Sequence, residues 1–89
     1  MIAKHLILQH QAGLHLRVAA EIVKLSQSTG SRVRLVRGDD MREADAASIL
    51  NLLLLEATEG TPFHVEVEGP HEQLTLHRIE EIFGDGGGI

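Results

Sequence analysis

The sequence predicts an α+β domain: a two-layer, open-faced sandwich in which three helices cover one face of a four-stranded antiparallel sheet, in the order β-α-β-β-α-β-α. Three observations predict it. Phe63, Val65 and Val67 alternate with His64, Glu66 and Glu68, the period of a half-buried strand. Val18, Ala19, Ile22, Val23 and Leu25 recur at helical spacing, with Arg17, Glu21, Lys24 and Ser28 on the opposite side. Glycines at 30, 38, 60, 69 and 84 punctuate the chain between such segments.

Each element has its own signal. Residues 2–9 alternate as a strand with Leu6 and Leu8 facing the core. His10 to Gly13 form a loop, and from Val18 to about Ser28 the chain reads as a helix, which puts His15 at its N-terminus and Gly30 at its left-handed cap. Arg32 to Arg37 is a second strand, with Val33 and Leu35 pointing inward between arginines. Gly38-Asp39-Asp40 is a turn, and Met41 to Glu43 is expected to pair back as a short third strand. A helical run from about Ser48 to Leu55 follows, apolar on more than one face. Beyond the loop around Gly60 and the strand through Val65, Gly69-Pro70 opens a last helix, with proline at its first position and Leu76, Ile79, Ile82 and Phe83 as its buried stripe. Residues 1–84 make one domain, and the glycine-rich residues 85–89 are expected to form a flexible tail.

Composition narrows the function. A chain of 89 residues buries roughly 60–65% of its unfolded surface, enough for one modest core. The formal charge of −5 opposes nonspecific attraction to nucleic acid, and two phenylalanines without Trp or Tyr leave little for bases to stack on. The absence of cysteine removes thiolate chemistry and agrees with a cytoplasmic location. The first ten residues are too short an apolar run, interrupted by Lys4 and His5, for a signal peptide or membrane insertion. The histidines at 5, 10, 64, 71 and 77 lack metal-ligand spacing, so neither a metal nor a cofactor is expected.

The organising stretch is Gln11 to Gln27. A histidine at a helix start lies beside backbone N–H groups that lack intrahelical partners, and Arg17 adds a permanently charged fork suited to phosphate. Phosphoryl transfer to an imidazole needs a ring lone pair facing phosphorus. Afterwards the amides of Leu16 and Arg17 and the Arg17 guanidinium can hold the new negative charge.

Gly13, Leu14, His15, Arg17, Ala19 and Ala20 match in order the Gly-Leu-His-Ala-Arg-Pro-Ala-Ala pattern of the HPr phosphocarrier family, and the segment resembles that family's phosphorylation site. Ala47-Ser48-Ile49-Leu50 resembles, more weakly, the family's Lys-Ser-Ile-Met segment. The sequence departs from the pattern at Leu16, which replaces a small residue, and at Val18, which replaces the proline.

The resemblance implies the HPr-like sandwich with strand order 1-4-2-3; pattern alone leaves ferredoxin-like and ACT-like arrangements open. It also implies a phosphocarrier rather than an enzyme, transiently phosphorylated on His15 and assisted by Arg17. The partners it implies are enzyme I, charged by phosphoenolpyruvate, and a IIA-type acceptor of a sugar phosphotransferase system or related regulatory relay. Ser48 is by default a helix cap, and the resemblance adds regulatory phosphorylation there by an HPr kinase. Leu16, Ala20, Lys24, Ile49 and Leu53 are the expected partner surface of a monomer. Two other readings stand beside the carrier: a non-transferring adaptor that docks through the leucine-rich second helix, and a small-molecule-binding ACT-like domain marked by a deep apolar pocket.

Overall fold

The computed structural model describes residues 1–84. In chain order the elements are β1 (Ile2–Ile7), α1 (Leu16–Thr29), β2 (Arg32–Arg37), β3 (Glu43–Asp45), α2 (Ile49–Leu53), β4 (Pro62–Glu68) and α3 (Glu72–Phe83). The strands lie in the order β1-β4-β2-β3 with every neighbouring pair antiparallel. Both the predicted element order and the 1-4-2-3 sheet are therefore present.

Alternation decides which face is covered. Leu6, Val33, Leu35, Phe63, Val65 and Val67 are buried and join one core with Val18, Ala19 and Ile22 of α1 and Leu76, Ile79 and Phe83 of α3. α3 lies against β1 and β4, α2 against β3, and α1 packs beside both other helices. The opposite face of the sheet carries charge. Arg34 bonds both Glu43 and Glu66, and these carboxylates, Glu43 foremost, raise its pKa further above the ordinary guanidinium value. Val36 lies on this outer face, opposite His64 and Glu43 in the register, yet it is buried.

Several boundaries differ from those expected. β1 stops at Ile7 because Gln9 directs its N–H to the Phe83 carbonyl at the end of α3 (2.8 Å) instead of to a strand. The third strand is Glu43–Asp45 and not Met41 to Glu43, since Met41 has a positive φ (64°) and belongs to the turn. That turn is braced by side chains: the hydrogen bond from Arg37 holds the Asp39 carboxyl below the usual carboxylate range, and the backbone amide of Arg42 does the same for Asp40.

α2 is five residues long, shorter than its run of leucines predicts, and Glu56 at φ 51° turns the chain soon after it. Leu52 and Leu55 face the core, whereas Leu50 and Leu54 face outward, so the helix is packed on one side only. The last helix begins at Glu72 with His71 as its N-cap, which places Pro70 in the preceding turn and not at the first helical position. Leu25 and Ile82, expected within the buried stripes, are half-buried at the margin of the core. Gly30 ends α1 in the left-handed conformation predicted for it (φ 64°), and Gly84 ends α3 in the same conformation (φ 73°). The expectation of a flexible tail at 85–89 lies outside the described residues.

Candidate functional site

The site is built by the loop that enters α1. Gly13 takes φ +73°, and a Cβ there would stand 2.5 Å from the Ala57 carbonyl oxygen, so only glycine fits both the turn and the close approach. Its N–H closes a turn on the His10 carbonyl (2.9 Å). Leu14 then anchors the chain twice: its N–H donates to the Ala57 carbonyl (2.9 Å) and its side chain is buried.

With the chain fixed on both sides, His15 adopts the extended conformation of an N-cap (φ −88°, ψ 177°), and its carbonyl accepts the Ala19 N–H at 2.9 Å. The ring folds back over the helix start, where Nδ1 accepts the Arg17 N–H at 3.3 Å. An accepting Nδ1 leaves the proton of the neutral ring on Nε2. The helix starts at Leu16, two residues earlier than its apolar stripe predicts, because the N-cap bond draws Leu16 and Arg17 into the first turn.

The electrostatics of this end favour an anion. The N–H groups of Leu16 and Arg17 belong to the turn that has no intrahelical carbonyls to bond, and the helix dipole is positive there. No acidic residue lies in that turn. Arg17 is exposed and makes no ion pair among the described residues. Leu16, the large residue at the motif's small position, is 62% exposed, and His15 is half-buried. Val18 takes the place of the motif's proline by packing its side chain into the core.

Ser48 is the N-cap of α2, its hydroxyl accepting the Asn51 N–H at 3.2 Å. Around the site, Ala20 is half-buried and Lys24 exposed. Ile49 and Leu53 are half-buried against the core, and Leu50 (64% exposed) and Leu54 (59%) are the outward leucines of α2. Spacing explains this: once Leu52 and Leu55 take the inward side, positions 50 and 54 lie one helical turn apart on the other.

Sequence reasoning missed His10, whose ring lies 5.1 Å from that of His15, centroid to centroid. Nothing in the local pattern marks it, because the turn between them brings the rings together. No group of three or more metal-binding side chains is present among the described residues.

The start of α1 thus carries a histidine ring on a backbone amide and an exposed arginine two residues on, the arrangement expected of a small carrier domain. Comparison with known proteins makes the assignment specific. Residues 2–85 match the family model described as the PTS HPr component phosphorylation site. The chain is 34% identical over 77 residues to the phosphocarrier protein NPr of Escherichia coli (strain K12), covering 86% of this chain and 84% of that protein. It is 35% identical over 83 residues to the phosphocarrier protein HPr of Treponema pallidum (strain Nichols), covering 93% and 92%. The solved structure of HPr from Bacillus anthracis superposes with a TM-score of 0.82 at 20% identity, over 91% of this chain and 94% of that one, a likeness of fold. This chain belongs to the HPr family of phosphocarrier proteins of the phosphotransferase system. The HPr-like sandwich is thereby settled over the ferredoxin-like and ACT-like arrangements.

Proposed function

We propose that this protein relays a phosphoryl group on His15, from enzyme I charged by phosphoenolpyruvate to a IIA-type acceptor, in a sugar phosphotransferase system or a related regulatory relay. The observation that carries the reading is the seating of half-buried His15, with Nδ1 on the Arg17 amide at 3.3 Å. In the transfer the Nδ1 lone pair forms the new N–P bond as the donor's bond to phosphorus breaks. The Arg17 N–H then loses its ring acceptor and turns to a phosphoryl oxygen, with the Leu16 N–H and the Arg17 guanidinium sharing the charge. Onward transfer reverses these steps, so the chain itself needs no metal, nucleotide or general base. We place the relay in the cytoplasm with the carrier monomeric; no helix among the described residues is long and apolar enough to cross a membrane.

Partner docking falls to the surface around the ring: Leu16, Ala20 and Lys24 of α1, with Ile49 and Leu53 of α2 extended by the more exposed Leu50 and Leu54. Leu16 is exposed where the motif carries a small residue, so it is the position we assign to setting partner fit. For Ser48 we assign capping as the resting role. Phosphorylation there by an HPr kinase leaves acceptor oxygens facing the Asn51 amide and adds negative charge at the start of α2.

Incubation with phosphoenolpyruvate and a cognate enzyme I yields an acid-labile, alkali-stable adduct on this reading, and a His15→Ala variant labelled as well as the wild type overturns it. The outward Leu50 and Leu54 favour a second reading, an adaptor that binds a partner through α2 without transferring phosphate. Its signature is a complex that survives His15→Ala together with no labelling of either protein.

A further inference from the structure

The His15 ring has a second imidazole against it. The turn closed by the Gly13 N–H on the His10 carbonyl folds the chain so that the two ring planes meet at 63°, edge to face, with centroids 5.1 Å apart. His10 sits on a fixed stretch: the preceding residue, Gln9, is bonded to the end of α3, and Leu8 donates its N–H to the Thr61 carbonyl at 3.0 Å. Its Nδ1 is buried and meets no hydrogen-bond partner among the described residues. Native folds leave few buried polar atoms unsatisfied, so this one needs a reason. The ring of half-buried His15, for its part, makes a single hydrogen bond at the long end of the useful range, too little to fix it alone.

We propose that His10 is a positioning residue for phosphoryl transfer, its ring held edge-on so that the His15 imidazole stays turned with Nδ1 toward the Arg17 amide. The proposal rests on the reading of His15 as phosphoryl acceptor. Edge-to-face contact at this separation is the favoured geometry for a pair of planar rings. Swinging the His15 ring out to solvent breaks the ring contact and the cap bond together, so both favour one rotamer. In this placement the His10 Nδ1 stays buried and unsatisfied, and the fold tolerates such an atom where the placement serves the site.

The experiment compares wild type, His10→Ala and His10→Phe by long-range proton–nitrogen spectra of the imidazoles, recorded above the ordinary histidine titration range, and by the rate of phosphorylation from phosphoenolpyruvate and enzyme I. Wild type shows His15 in one tautomer, protonated on Nε2. His10→Ala shows a mixture of His15 tautomers and is phosphorylated about 3- to 10-fold more slowly, the factor a lost ring contact supplies. His10→Phe keeps the ring edge and removes the orphaned nitrogen, so it restores both readouts and melts no lower than wild type. The proposal is overturned if His10→Ala keeps the wild-type spectrum and rate, or if His10→Phe fails to the same degree as His10→Ala. An unlabelled wild type rejects the carrier reading instead, while the spectra still decide what His10 does to the His15 ring.

Discussion

Two histidines cap helices in this molecule, His15 on α1 and His71 on α3, and their surroundings differ in every respect that matters to an anion. His15 is extended, and its ring turns back to accept an amide. His71 has φ −123° and ψ 38°, and its exposed side chain makes no cap bond. The first turn of α1 contains no acid, whereas that of α3 contains Glu72, already paired with the Met1 ammonium at 3.2 Å. One positive helix end is therefore vacant and the other is occupied by the protein's own carboxylate. Residue type and helix start do not make a site by themselves. The backbone must aim the ring, and nothing anionic may already be there.

The sharpest way to break this contrast is to remove each histidine in turn. His15→Ala brings phosphoryl incorporation down to background, and His71→Ala leaves it unchanged, both read as acid-labile label; equal loss in the two variants refutes the distinction. Next in size is the guanidinium. Arg17→Ala slows acceptance by about 10- to 100-fold, the range for losing a charged hydrogen bond, and Arg17→Lys recovers part of it. Single-turnover phosphorylation measures both.

The approach loops offer a third comparison, because Gly13 and Gly69 precede the two caps at φ +73° and +153°, both in the region L side chains avoid. Alanine at either destabilises the fold by about 1–3 kcal/mol, seen as a fall in Tm of about 4–8 °C per kcal/mol. Gly13→Ala also slows labelling, since its Cβ drives the loop away from the Ala57 carbonyl, while Gly69→Ala leaves the labelling rate of the folded fraction intact. The smallest effect makes α1 resemble α3. Leu16→Glu places an acid in the first turn and stabilises the helix by about 0.3–1 kcal/mol, yet it slows phosphoryl acceptance through repulsion. Calorimetry and labelling on that one variant move in opposite directions, and a parallel change shows that the vacant helix end is irrelevant to the chemistry.

The parts of the fold legible in the sequence are those governed by a local period. Phe63, Val65 and Val67 announce β4 because each is buried on one side and flanked by polar residues, and Gly30 and Gly84 announce helix ends because both take left-handed caps. Arg32 to Arg37 carried its bounds for the same reason. What stayed hidden depends on contacts between distant segments. Nothing in the string Leu52-Leu53-Leu54-Leu55 says where α2 stops or which leucines the core takes. Likewise, Met41 reads as strand until the bonds of Arg37 and Arg42 to the paired aspartates fix the turn around it. The site shows the same division: His15 and Arg17 stand out through their neighbours in sequence, and His10 becomes visible only when the chain has folded back.

The 2.8 Å bond from the Gln9 N–H to the Phe83 carbonyl fastens the entry loop to the last turn of the final helix. Fraying of that turn therefore slackens the loop before the sheet is disturbed. On the carrier reading, phosphoryl labelling therefore falls off on warming ahead of the cooperative melt, and the closing residues of α3 act as a clasp for His15, almost seventy positions away in the chain.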